Sequence, residues 1–84
     1  MADDVSILRT WIIESLVELG GSAQMIDVAK SIWHKRSTEL AERGDLFFRW
    51  QYVMRWSATT MRKDGILLPS EDCEKGVWTL KLLS

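Results

Sequence analysis

The sequence has few of the residues that build covalent cross-links or metal centres. Among its 84 residues there are one cysteine, one histidine and one proline. Cys73 has no second cysteine with which to form an internal disulfide, and His34 has no cysteine or histidine nearby to complete a set of metal ligands. The sequence therefore predicts no disulfide, no metal site and no cofactor, a pattern typical of proteins from a reducing compartment.

Long apolar runs and catalytic motifs are also missing. No stretch approaches the roughly 20 apolar residues that span a bilayer, and Met1 is followed by acidic residues where a secretory signal carries basic ones. No Ser-His-Asp set, glycine-rich phosphate loop or pair of buried carboxylates can be assembled. We therefore expect a cytoplasmic protein that is not an enzyme, does not contact membranes and shows no evident small-molecule substrate.

The residues that are present describe an ordinary folded domain. Hydrophobic residues make up 46% of the chain, charged residues 27%, and the five tryptophans supply much of the apolar area. A chain of this length builds one hydrophobic core at most. We predict a single domain over residues 1–84, with four of the tryptophans in its core: Trp11, Trp33, Trp50 and Trp78.

The first half of the chain has helical periodicity. A first helix, capped by Asp3 or Asp4 and ended by the two glycines at 20–21, carries apolar residues at spacings of three and four: Val5, Leu8, Ile12, Leu16 and Leu19. A second helix is predicted over 24–35, with one apolar side: Ile26, Ala29, Ile32 and Trp33. Ser37 and Thr38 then predict a cap for a short helical turn that reaches residue 42.

The longest predicted helix covers residues 46–63 and ends at Gly65. At 100° per residue its core face consists of Trp50, Met54, Ser57 and Met61. The opposite face carries Tyr52, Arg55, Thr59 and Arg62. No acidic residue occurs anywhere in this helix.

The last part of the chain changes from helical to strand periodicity. Residues 66–68 and 77–80 are short apolar or alternating runs separated by a polar loop, which is the pattern of an antiparallel hairpin. The predicted fold class is therefore α+β and mostly helical. Specifically, the order predicts a winged helix-turn-helix, with three to four helices and a C-terminal β-hairpin wing.

The final forty residues resemble the N-terminal winged-helix domain of Mrr-type modification-dependent restriction endonucleases. The likeness consists of Trp56-Ser57, Met61, Gly65-Ile66-Leu67 and the segment Gly76-Val77-Trp78-Thr79-Leu80. It implies a winged helix whose long helix is presented to DNA. The nuclease domain of that family has no counterpart here, so the resemblance implies targeting rather than cleavage.

The charges of the long helix favour a DNA-binding function. Up to Asp45 the chain has five cations against eight acids, whereas from Leu46 it has six against four. Recognition helices read base edges in the major groove, while flanking cations contact phosphates. We therefore predict a small regulator or DNA-targeting subunit that reads duplex DNA with the helix around 47–63, through Arg49, Tyr52, Arg55, Thr59, Arg62 and Lys63, assisted by Lys35, Arg36 and Lys75.

A second hypothesis is a protein-interaction or dimerisation module. The net charge is −1, and three carboxylates surround Lys75 in the predicted wing, where they would be repelled by phosphate. Three aromatic residues of the long helix have no obvious place in its core: Phe48, Tyr52 and Trp56. Their exposure would create a surface for a homodimer or another protein partner.

Overall fold

The computed structural model describes residues 2–81, without the side chains of Ala2 and Asp3. Three helices dominate: α1 (Ala2–Glu18), α2 (Met25–Ala41) and α3 (Leu46–Lys63). Two three-residue strands, β1 (Ser22–Gln24) and β2 (Val77–Thr79), and a short 3₁₀ helix at Ser70–Asp72 complete the described part of the chain. The fold is thus α+β and mostly helical, as the sequence predicts.

Helix α1 ends at the glycine pair as predicted. Gly20 and Gly21 both have φ of +94°, which is accessible to glycine at little cost. The Gly21 N–H donates to the carbonyl of Leu16 (2.6 Å) and the Gly20 N–H donates to that of Val17 (3.2 Å). This is the Schellman arrangement, which satisfies the last helical carbonyls. The predicted cap is wrong, however, because Asp3 and Asp4 lie within the first helical turn rather than before it.

Helix α2 is a single helix of 17 residues, so the predicted break near residue 36 is wrong. Ser37 and Thr38 continue the helix instead of capping a new turn. Two features stabilise the added turns. Leu40 is fully buried in the core, and the Arg36 guanidinium donates a hydrogen bond to the carboxylate of Glu39, three residues further on. Because tertiary packing outweighs the weak preference of serine and threonine for helix caps, the helix continues to Ala41.

Helix α3 presents the predicted face to the core. Trp50, Met54, Ser57 and Met61 are all buried, together with Val53 and Ala58. The Ser57 hydroxyl donates to the carbonyl of Val53 (2.7 Å), which satisfies the one polar group on this face. Gly65 then closes α3 with the same Schellman arrangement that ends α1, since the N–H of Ile66 donates to the Met61 carbonyl (2.9 Å).

The sheet joins two segments that are far apart in the sequence. Strand β2 pairs antiparallel with β1, with Trp78 opposite Ala23. The predicted partner of β2, residues 66–68, is also adjacent and antiparallel, with one bridge between Leu67 and Leu80. Two backbone hydrogen bonds flank this bridge, from the Leu68 N–H to the Thr79 carbonyl and from the Lys81 N–H to the Ile66 carbonyl, both 2.9 Å. The hairpin prediction therefore identified a real neighbour and missed the main pairing.

The core contains side chains from all three helices and from β2. Trp11, Trp50 and Trp78 are buried, as predicted. Trp33 is 44% exposed, so its assignment to the core is wrong. Helix α2 buries Ile32 as predicted, together with Val28 and Leu40, while Ala29 is half-buried against the core and Ile26 is exposed. Leu19, predicted to continue the α1 ladder, lies beyond the helix and is exposed.

Candidate functional site

Helix α3 exposes three cationic side chains. Arg49, Arg55 and Lys63 are all exposed on a helix that contains no carboxylate. Arg55 and Lys63 form no ion pair with any residue that the structure describes. Because the charges of Arg55 and Lys63 are not neutralised by an ion pair among the described residues, these two side chains remain available to an anionic partner.

Two polar side chains lie between these cations. Tyr52 is 64% exposed and carries its phenol hydroxyl on the same face as Arg55. Thr59 is exposed as well, but its hydroxyl already donates to the carbonyl of Arg55 (3.2 Å). The Thr59 oxygen can therefore accept a hydrogen bond from a ligand, whereas its proton is held by the helix backbone.

Arg62 does not face solvent as the helical period predicts. It is half-buried, and its Nη2 donates to the carbonyl oxygen of Val77 (3.1 Å). The guanidinium therefore ties the end of α3 to the start of β2. Arg62 is therefore less accessible to DNA than the sequence predicts, because its guanidinium is hydrogen-bonded to β2.

Lys35 and Arg36 are also engaged within the molecule rather than offered to phosphate. Lys35 forms an ion pair with Glu18 of α1. Arg36 donates from Nη1 to Glu39 and from Nη2 to Glu14, both at 2.7 Å. The hydrogen bond to Glu39, followed by that to Glu14, raises the pKa of Arg36 above its already high value.

Arg36 has a further contact that explains its place in the fold. Its Cζ lies 5.4 Å from the centroid of the Trp11 ring, which is within the range of a cation–π interaction. One guanidinium thus links a carboxylate and an indole of α1 to α2. Lys35 and Arg36 thus join α1 to α2, and a role as phosphate contacts would require these ion pairs to be shared or broken.

The loop between residues 69 and 76 keeps the acidic character expected from the sequence. Glu71, Asp72, Glu74 and Lys75 are all exposed. The loop ends against α2, where the N–H of Met25 donates to the carbonyl of Gly76 (2.7 Å). Lys75 is thus accessible, but it is surrounded by three carboxylates that oppose an approach to phosphate.

Three aromatic side chains form a stripe along α3. Phe48 is 83% exposed, Tyr52 64% and Trp56 49%. They are spaced four residues apart, so their Cα atoms are about 6 Å apart along the helix axis and the side chains lie on one side of the helix. This aromatic stripe, Phe48–Tyr52–Trp56, runs beside the cations of the same helix and is a large apolar surface for so small a domain.

A cleft between α2 and α3 was missed by the sequence reasoning. It has a volume of about 340 Å³ and is lined by six residues: Ala29, Lys30, Trp33, Phe47, Trp50 and Gln51. The signal that could have revealed it is the surplus of aromatic residues on facing helices. Trp33 and Phe47 are too bulky for the core to absorb in full, and they line the cleft instead.

The described residues contain no cluster of three potential metal ligands. His34 is exposed and Cys73 is a half-buried free thiol in the acidic loop. None of the helices in residues 2–81 combines the length and apolar character needed to cross a bilayer. The candidate site is therefore a surface of side chains on α3, not a metal centre.

Comparisons of the chain with protein families, with curated proteins and with solved structures found no match.

Proposed function

We propose that the protein is a winged-helix module that binds duplex DNA with the exposed face of α3. The carrying observation is that this helix presents Arg49, Arg55 and Lys63 without a single carboxylate, in a chain whose net charge is −1. The residues that we propose to contact DNA are Arg49, Tyr52, Arg55, Thr59, Lys63 and, more weakly, Lys75.

The order of elements supports the winged-helix assignment. Helix α1, strand β1, helices α2 and α3, and then residues 66–68 beside β2 follow the order of a winged helix, in which the last two segments form the wing. Residues 42–45 make the short connection between α2 and α3 that a helix-turn-helix needs. The resemblance to the N-terminal domain of Mrr-type endonucleases rests on α3 and the segment after it, the same elements that form this surface.

Direct binding to a random duplex tests the proposal. Titration of the isotope-labelled protein with DNA at low salt should shift the amide signals of α3 around Arg55 while those of α1 move little. Three phosphate contacts predict a salt slope of about −3 and a fall in affinity of roughly 40-fold between 50 and 200 mM salt. Absence of binding at low salt, or shifts confined to α1, would contradict the proposal.

The aromatic stripe favours a second candidate function, a dimerisation or protein-interaction module. Phe48 is the most exposed large apolar side chain of the described residues, and aromatic residues are enriched where interfaces gain most of their energy. Such a surface fits a second copy of the chain, which would bring together two α3 helices.

For this second candidate, sedimentation experiments should show a concentration-dependent dimer. Replacing Phe48 with serine would weaken the dimer by about tenfold or more, since a central aromatic contact is worth about 1.4 kcal/mol or more. The matched control Ile26→Ser removes an exposed apolar residue from α2 and should leave the dimer unchanged. A protein that stays monomeric at millimolar concentration contradicts this candidate.

A further inference from the structure

The cleft between α2 and α3 has the size and wall chemistry of a small-ligand site. Its volume of about 340 Å³ lies at the lower end of the range in which proteins hold small organic molecules. Most of its walls are aromatic or aliphatic, and only two of the six lining residues are polar. It borders the aromatic stripe, because Phe47 of its lining meets Phe48 edge-on with ring centroids 5.1 Å apart.

The aromatic wall is prearranged for stacking. Trp33 lies nearly parallel to Trp50, with an interplanar angle of 12° and ring centroids 6.1 Å apart. Phe47 meets Trp33 at the same centroid distance and an angle of 46°. Trp50 is buried behind this group, whereas Trp33 is 44% exposed. The Trp33 indole is therefore held in place by two rings while part of its surface remains accessible.

The polar part of the lining carries a single sign of charge. Lys30 is exposed on α2, one helical turn before Trp33, and none of the lining residues is acidic. Lys30 forms no ion pair with any residue in the described part of the chain, including Asp27 one helical turn before it. Gln51 supplies an amide from α3. An ammonium and an amide beside an indole are a recognition set for a planar anion.

We propose that this cleft binds a small aromatic carboxylate. The ring of the ligand stacks on Trp33 and Phe47, its carboxylate pairs with the ammonium of Lys30, and the Gln51 amide donates to a carboxylate oxygen. A second protein chain is a poor occupant, because a stable dimer needs about 600–1,000 Å² on each partner, far more than six residues supply. The proposal is independent of DNA binding.

Three probes with the same ring system and different charges test the site: 1-naphthoate, 1-naphthylmethanol and 1-naphthylmethylamine. Titrated into the full chain, 1-naphthoate should shift the indole N–H signals of Trp33 and Trp50 and the side-chain amide signals of Gln51. The neutral alcohol should bind about fivefold more weakly, as expected for loss of one partly exposed ion pair, and the amine more weakly still.

Two variants locate the site. Lys30→Gln should weaken 1-naphthoate about fivefold and leave the alcohol unchanged, because it removes only the charge. Ala29→Leu should block both probes by filling the cleft, with folding verified by circular dichroism. The matched control Lys75→Gln removes a cation outside the cleft and should have no effect.

The proposal is overturned by any of three results. The naphthoate could leave the Trp33, Trp50 and Gln51 signals unmoved at millimolar concentration, or the amine could bind as well as the acid. Alternatively, the same signals could shift with protein concentration in the absence of any probe, which would assign the cleft to contact between copies of the chain.

Discussion

Replacing Trp78 with alanine is expected to lower the free energy of unfolding by about 3–5 kcal/mol, the cost typical of deleting a large buried aromatic side chain. Trp78 is the central residue of β2, is only 5% exposed and joins the core cluster shared by the three helices. A domain of this size has a total stability of roughly 4–13 kcal/mol. The variant should therefore lose a large share of its stability, seen as a much lower midpoint in urea denaturation followed by circular dichroism.

Trp56→Ala is the matched control for this prediction. It deletes the same side chain from the same domain, but Trp56 is 49% exposed on α3 and its loss should cost about 1 kcal/mol or less. Equal losses of stability in the two variants would show that β2 is not anchored in the core as described. A Trp78→Ala protein with the same free energy of unfolding as the parent would lead to the same conclusion.

Reversing two charges on α3, Arg55→Glu with Lys63→Glu, should reduce affinity for duplex DNA by about 100-fold at low salt. Both side chains are exposed and have no ion-pair partner among the residues that the structure describes. Each lost phosphate contact also removes about one unit from the salt slope, which should fall from about −3 to about −1. Fluorescence anisotropy with a labelled duplex between 50 and 200 mM salt measures both quantities.

The control for the charge reversal is Lys30→Glu with Arg43→Glu, which changes the net charge by the same amount. Both positions are exposed and lie outside the proposed contact set. The control should keep a slope near −3 and lose only a few-fold in affinity, since net charge acts weakly across a Debye length of about 8–10 Å. Similar losses in the two double variants would mean that binding is a general charge effect and that α3 is not the surface.

Helix α3 could be predicted closely from the sequence because its signals agree with one another. The apolar period and the glycine at position 65 indicate the same helix, and the inward residues from Trp50 to Met61 are buried as expected. Arg62 shows the limit of that reasoning. The helical period places its Cα, but only the folded chain brings the carbonyl of Val77 within 3.1 Å of its guanidinium.

Helix α2 was harder to predict because its surroundings are decided at long range. Lys35 and Arg36 have the sequence pattern of free cations, yet their partners Glu18 and Glu14 belong to another helix. The orientation of α1 against α2 is not encoded in the periodicity of either helix alone. For the same reason the apolar side of α2 was predicted only in part: Ile32 is buried as expected, whereas Ile26 and Trp33 are exposed.

The sheet was predicted only in part, because its strands are too short to show alternation. Three residues in β1 give a weak signal, and the sequence alone favoured pairing between neighbouring segments. The structure also pairs Ser22–Gln24 with Val77–Thr79, two segments that are far apart in the sequence. The loss of chain entropy in bringing such distant segments together is offset by burial of Trp78 and Leu80 between the helices.

Because a growing polypeptide leaves the ribosome with its N-terminus first, β1 is synthesised long before the strand that completes it. Until residues 77–79 emerge, the apolar surface that Trp78 covers is exposed to solvent, and the backbone N–H and C=O groups of β1 lack their strand partner. The domain therefore cannot complete its core until Trp78 and Leu80 have been synthesised.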